Sequence, residues 1–107
     1  MKGSFIPDAG DLVWLTFDPQ AGRRPALVLS PLAYNRKAGA ALVCPVTSQI
    51  KGYPFEVPVP GGYGVTGVVL ADHIKSVDWR ERRASRIGRV TELADEVLAR
   101  LAPLLGY

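Results

Sequence analysis

The sequence predicts a mainly β fold, a small barrel of five to seven short strands with a short connecting helix and one C-terminal helix. Three observations carry this reading. Eleven Gly and nine Pro divide the 107 residues into short pieces; Gly reaches positive φ and Pro interrupts hydrogen-bond ladders, so both punctuate strands. Between these breaks lie short apolar runs, the pattern of buried strands. After Thr91 the period becomes helical, with Leu93, Val97, Leu98, Leu101 and Leu105 expected on one face. A chain of this length with 48% hydrophobic residues has room for one modest core, so residues 1–107 read as a single domain.

The first strand is expected from Asp11 to Phe17, an apolar, β-rich run closed by Asp18-Pro19. The second runs from Arg24 to Ser30, where Pro25 is acceptable at a strand start and Ala-Leu-Val-Leu is apolar on both faces, as in a covered sheet. Pro31 to Gly39 reads as a short helix with Pro near its start and Gly near its end. Ala40 to Thr47 and Pro54 to Val59 are the third and fourth strands, joined by the polar loop Ser48 to Tyr53. Val65 to Ile74 is the fifth, continuing to Val77 or pairing with the next segment, and Arg86 to Val90 is the last. The helix comes after it, with Thr91 as its cap, Glu92, Asp95 and Glu96 at its positive end, and Pro103 ending or kinking it. This set of elements fits an SH3-like barrel.

Composition narrows the function. One Cys excludes an intramolecular disulfide, the N-terminus lacks signal-peptide character, and no apolar run approaches the roughly 20 residues that cross a bilayer. A cytoplasmic protein with no membrane partner is expected. The net charge of +3 is unevenly spread: residues 23–51 carry five basic and no acidic groups, and residues 75–89 carry six basic and two acidic. Two such blocks suit a polyanion, because neutralising phosphates releases counterions; the bland reading is a solvated basic surface.

Several familiar signals fail on context. Gly62 to Gly67 has the spacing of a dinucleotide-binding glycine motif, but Pro58 and Pro60 precede it and Val68-Val69-Leu70-Ala71 comes after, so it opens no helix and reads as a hairpin loop. His73 is the single His and Cys44 the single Cys, so no metal-ligand spacing is present and neither a metal nor another cofactor is expected. A Ser-His-Asp nucleophile has no supporting elbow sequence. Cys44 and Trp14, each among apolar neighbours, read as packing residues.

Phosphate chemistry remains. Arg24-Pro25 opens an apolar strand and Pro45-Val46-Thr47-Ser48-Gln49 closes another, which places an arginine and hydroxyls in loops beside strands. A guanidinium presents a rigid fork of donors to phosphate, and a Thr or Ser hydroxyl can donate to the same group. With Pro7 to Asp11, the run Lys51 to Val57, Leu70-Ala71-Asp72, Lys75-Ser76 and Trp79-Arg80, these motifs resemble the MazF (PemK/Kid) family of toxin endoribonucleases over most of the chain. The resemblance implies the same MazF/CcdB-like barrel and a symmetric homodimer. It also implies an acidic, MazE-like antitoxin partner whose extended tail covers the RNA groove. The implied activity is metal-independent cleavage of single-stranded RNA (mRNA) at a short sequence, an mRNA interferase, with 2′,3′-cyclic phosphate and 5′-OH ends.

In that chemistry the ribose 2′-OH attacks its own phosphodiester, so the protein supplies proton transfer and charge stabilisation rather than a nucleophile. The resemblance puts the catalytic roles on Arg24 and Thr47. Arg24 suits the developing negative charge, Thr47 can orient a phosphate oxygen or the 2′-OH, and the general base is unassigned because an arginine pKa is too high. Arg23 is the rival cation, outside the Arg-Pro signature. The family commonly has a longer loop before the arginine, often with an acidic residue; here only Gln20, Ala21, Gly22 and Arg23 lie between Asp18-Pro19 and Arg24, with no carboxylate. Many relatives have Gln at the place of His73, where a His could transfer protons or replace a polar contact.

The substrate-binding set begins with Ser48, Gln49, Lys51, Tyr53 and Phe55, where aromatic rings can stack on unpaired bases while Lys holds a phosphate. Phe55 is equally suited to the core. His73 is a further member of the set, and Lys75, Ser76, Trp79, Arg80 and Arg82 form a second surface, in which Trp79 is either a base platform or a dimer contact. The alternatives are a CcdB-type toxin that poisons DNA gyrase by binding, and a non-catalytic RNA-binding barrel.

Overall fold

The computed structural model describes residues 5–18 and 22–107. Strands β1 (Asp11–Asp18) and β2 (Gly22–Val28) form an antiparallel hairpin that pairs Leu12 with Leu27, Trp14 with Pro25 and Thr16 with Arg23. Pro25 lies past the β2–β3 ladder, which begins at Ala26, so its missing N–H costs that ladder no bond. Helix α1 (Leu32–Ala38) leads to β3 (Ala41–Thr47), and Gly39 closes the helix at φ +69°, a left-handed position that favours Gly. Then come β4 (Glu56–Pro58), β5 (Val68–Leu70), a 3-10 turn (Ala71–His73), β6 (Lys75–Val77), β7 (Ser85–Arg89) and α2 (Thr91–Leu104).

The sheet runs β4-β5-β3-β2-β1-β7, with β6 joined to β3. Away from β2, the edge of β3 is divided: Ala41 to Val43 pair with β6, whereas Val46 and Thr47 pair with β5. This division explains why Val65 to Val77 is two short strands and a turn rather than one long strand. Between them the chain changes position along β3, and Ala71 is buried there, its N–H donating to the Phe55 carbonyl. The arrangement is an open, barrel-like antiparallel sheet of seven strands, in keeping with the expected fold.

Alternation along β1 sends Leu12 to one face and Val13 and Leu15 to the other. One core holds Leu12, Leu27, Cys44, Val57 and Val69 under Leu93 and Val97 of α2; the other holds Val13, Leu15, Ala26, Val28 and Val43 against Trp79. Both faces are covered, which accounts for the continuous apolar runs. Two helix expectations need correction. Val90, not Thr91, occupies the cap and makes no side-chain cap bond. Leu98 and Leu105 are exposed rather than on the packed face, which consists of Leu93, Ala94, Val97 and Leu101. Pro103 sits in the last helical turn, where its lost hydrogen bond does least damage.

Candidate nucleic-acid interface

The end of β3 forms a wall between two clefts. Thr47 and Gln49 face a cleft of about 180 Å³ that also has Lys51, Tyr53, Phe55 and His73 on its rim; Val46 and Ser48 face another of about 350 Å³ beside Arg23 and Arg24. Strand alternation alone sends successive residues to opposite sides. The β2–β3 ladder ends at Ala26↔Pro45, so Arg24 and Thr47 each lie two residues beyond its last pair, Arg24 on β2 and Thr47 at the end of β3. The two residues singled out from sequence line different clefts, Arg24 the one it shares with Ser48 and Thr47 the one it shares with Gln49.

Their environments suit the roles assigned to them. Arg24 is exposed and its guanidinium makes no hydrogen bond or ion pair among the described residues. Arg23 is committed elsewhere: its guanidinium donates to the Thr16 and Ser85 hydroxyls and to the carbonyls of Trp14 and Arg83. The Thr47 hydroxyl oxygen accepts from the Gln49 N–H at 3.1 Å, so the hydroxyl's own proton is left to donate outward. Gly67, at φ +128°, passes so close to Thr47 that a Cβ would stand 2.1 Å from the Thr47 carbonyl oxygen. The glycine run therefore serves as a loop, as its context suggests, and it packs the backbone behind Thr47.

The loop after Thr47 is ordered from below. Buried Glu56 accepts from the Gly52 N–H at 2.8 Å and the Lys51 N–H at 3.2 Å. Tyr53 stacks on Phe55 with ring centroids 5.3 Å apart and planes 20° from parallel, and Tyr53 is half exposed. His73 is exposed, with Nε2 3.8 Å from an Asp72 carboxylate oxygen.

The second basic surface departs from expectation. Trp79 is 3% exposed and its indole N–H donates to the Asn35 carbonyl at 2.9 Å, so the ring is core and offers no face for base stacking or a dimer contact. Arg82 donates to the carbonyls of Thr16 and Phe17, and this fastens the 78–84 turn to the end of β1 rather than presenting a free cation. Arg80 lies over the Trp79 ring at 5.1 Å and remains exposed, as do Lys75 and Ser76 on β6. Lys75 Nζ stands 5.1 Å from the Phe17 ring. Of this set only the exposed Lys75, Ser76 and Arg80 keep their polar groups at the surface.

Among the described residues no group of three or more His, Cys, Asp or Glu side chains could hold a metal ion, and no helix is long and apolar enough to cross a membrane. Burial, with the Asp72 charge adding to it, pushes the Cys44 thiol up to about 12, which makes it inert as a nucleophile.

Residues 8–105 match the model of the PemK-like, MazF-like toxins of type II toxin-antitoxin systems. The chain belongs to this family. It is 48% identical over 112 residues to the endoribonuclease toxin MazF of Escherichia coli K12, an alignment covering 99% of this chain and 100% of that protein. It is 40% identical over 105 residues to the endoribonuclease toxin ChpB of the same strain, covering 88% and 90%. Among solved structures, a MazE-MazF crystal structure from Deinococcus radiodurans superposes with a TM-score of 0.90 at 58% identity, covering 95% of this chain and 98% of that one. These relatives do not favour the CcdB-type alternative.

Within this MazF-like chain, sequence reasoning missed Glu56 and the structural role of Arg23. Glu56 had one visible signal, a lone carboxylate between Phe55 and Val57 in an otherwise apolar strand. The expected loop departure at Gln20 and Ala21, and Pro19 before it, lie outside the described residues.

Proposed function

We propose that this chain, a single MazF-like domain over residues 1–107, is a toxin endoribonuclease that cuts single-stranded RNA at a short sequence and is neutralised by an acidic MazE-like antitoxin. The observation that supports the reading is the β3 end, where an exposed arginine lines one cleft and a hydroxyl free to donate lines the other, beside a stacked aromatic pair. In this reading bases stack on Tyr53, Lys51 holds a phosphate, and Ser48, Gln49, His73, Lys75, Ser76 and Arg80 extend the contact surface. The 2′-OH gives its proton to a general base that is left unassigned and attacks the adjacent phosphorus, the P–O5′ bond breaks, and the 5′ oxygen takes up a proton. Arg24 stabilises the extra negative charge of the transition state and Thr47 holds a phosphate oxygen. The attacking oxygen belongs to the substrate, so no metal-bound water is required, and we assign cleavage as metal-independent. The work is cytoplasmic, and a homodimer is the assembly the family relation suggests.

The test is a digest of a long RNA in excess EDTA with the cut ends mapped. Cleavage should persist and give 2′,3′-cyclic phosphate and 5′-OH ends, and a 2′-deoxy sugar immediately 5′ of the scissile phosphate should block it. Metal-dependent cutting that leaves a 5′-phosphate would overturn the mechanism. Binding without any cutting would favour the non-catalytic barrel.

A further inference from the structure

We propose that Glu56 is a positioning residue for the loop of residues 48–53, holding the shape of the surface that reads RNA bases and so setting the cleavage sequence. The inference rests on the endoribonuclease reading above. Glu56 is 7% exposed and comes after Phe55 in a short strand beside buried Val57. A carboxylate in such a place is costly unless its oxygens are hydrogen-bonded. The loop supplies the partners: the Lys51 N–H lies 3.2 Å from both oxygens and the Gly52 N–H donates to Oε1 at 2.8 Å. Gly52 stands at φ +82°, a left-handed position that lets two consecutive N–H groups converge on one anion. Here the anion is the protein's own carboxylate.

The latch is closed on its other sides as well. The Glu56 N–H donates to the Tyr53 carbonyl at 3.1 Å, and Arg100 of α2 donates to the carbonyls of Pro54 and Glu56. The strand that carries Glu56 is thereby tied to the helix, and the loop is tied to Glu56. Lys51 and Tyr53, the residues placed for phosphate and base, project from the latched turn. Arg24 and Thr47 share no hydrogen bond with Glu56 among the described residues, and the Glu56 bonds fall on Lys51 and Gly52, beyond the Gln49 N–H that meets the Thr47 hydroxyl, so its loss should act mainly on recognition.

Glu56→Ala should raise KM for the cognate RNA about tenfold, the loss expected when charge-assisted hydrogen bonds are removed. Discrimination between that RNA and one altered at a single base should fall by a similar factor. Single-turnover cleavage at saturating protein should stay near the wild-type rate. Glu56→Gln keeps one oxygen for the Gly52 N–H and should recover part of both losses. A folded Glu56→Ala with wild-type KM and discrimination would overturn the proposal. So would a large drop in the saturated rate at unchanged KM, with loss of the acid limb of the pH profile, since that would make Glu56 a general base. Should the variants fail to fold, amide exchange on the wild-type protein decides. The Lys51 and Gly52 amides should exchange more slowly than those of exposed Ile50 and Gly61, and equal rates would overturn the latch. If wild-type protein cut no RNA at all, the endoribonuclease reading would fail, and the latch would still stand or fall on that exchange measurement.

Discussion

The two basic blocks look alike in sequence and differ in use. In the block of residues 23–51, Arg24 and Lys51 are exposed at the mouths of two clefts, whereas Arg23 is drawn onto backbone carbonyls. In the block of residues 75–89, Arg82 fastens β1 and Arg86 stands 3.4 Å from buried Asp11. Arg89 reaches both Asp11, at 3.5 Å, and Asp8, at 3.2 Å. The Oδ1 of Asp11 has no hydrogen bond of its own, so these two guanidiniums are the groups that compensate it. Like charge is thus left exposed in one region and used largely as framework in the other, where of the cations proposed for RNA only Lys75 and Arg80 stay at the surface. What separates the cases is whether carbonyls and carboxylates lie within reach.

The comparison can be broken most forcefully at Trp79. If that residue is framework, Trp79→Ala should lower stability by about 3–5 kcal/mol, as for other buried aromatic truncations, and the loss is read by denaturant unfolding. A fully stable variant that binds RNA poorly would restore the base-platform reading. A smaller effect separates Lys51 from Arg82. Lys51→Ala should reduce the magnitude of the logarithmic salt slope of RNA binding by about 0.7, one phosphate contact on a single strand. Arg82→Ala should leave that slope unchanged and cost about 1–2 kcal/mol of stability, since it donates to backbone rather than to phosphate.

The smallest effect is acid sensitivity at the framework end. The Leu32 N–H bond to Asp8 holds its carboxyl below the usual carboxylate range, with the Ala9 N–H and Arg89 adding to this against the cost of burial. A folded-state value below the unfolded one, about 3.9, means the stabilisation is complete above that pH and lost as pH falls through the folded value. Asp8→Asn should therefore flatten the decline in Tm below about pH 4 relative to wild type. An unchanged acid limb would remove Asp8 from the account.

Most of the fold was legible because strands with both faces covered leave continuous apolar runs, and because Pro31 and Gly39 bracket α1. The break between β5 and β6 was not, since it reflects how β3 divides its edge between two partners, a tertiary fact with no local signature. Arg24 and Thr47 were recognisable through the family motif, whereas the two clefts they line depend on tertiary packing. Trp79 was misread because Asp78, Arg80 and Glu81 surround it in sequence. Its burial depends on Asn35, 44 residues away. Glu56 was overlooked because its partners are backbone amides, which any sequence supplies.

The central claim is that the exposed arginine of the first block stabilises the transition state while its neighbour only holds the hairpin. Single-turnover cleavage at saturating protein by folded Arg24→Ala tests it most directly. The rate should fall by about 10² to 10³ or more, the usual cost of deleting a preorganised transition-state donor, with Tm close to wild type. Arg24→Lys should recover only part of the rate, because an ammonium lacks the planar fork. Cleavage by Arg24→Ala at the wild-type rate would contradict the claim and move the search to Arg23.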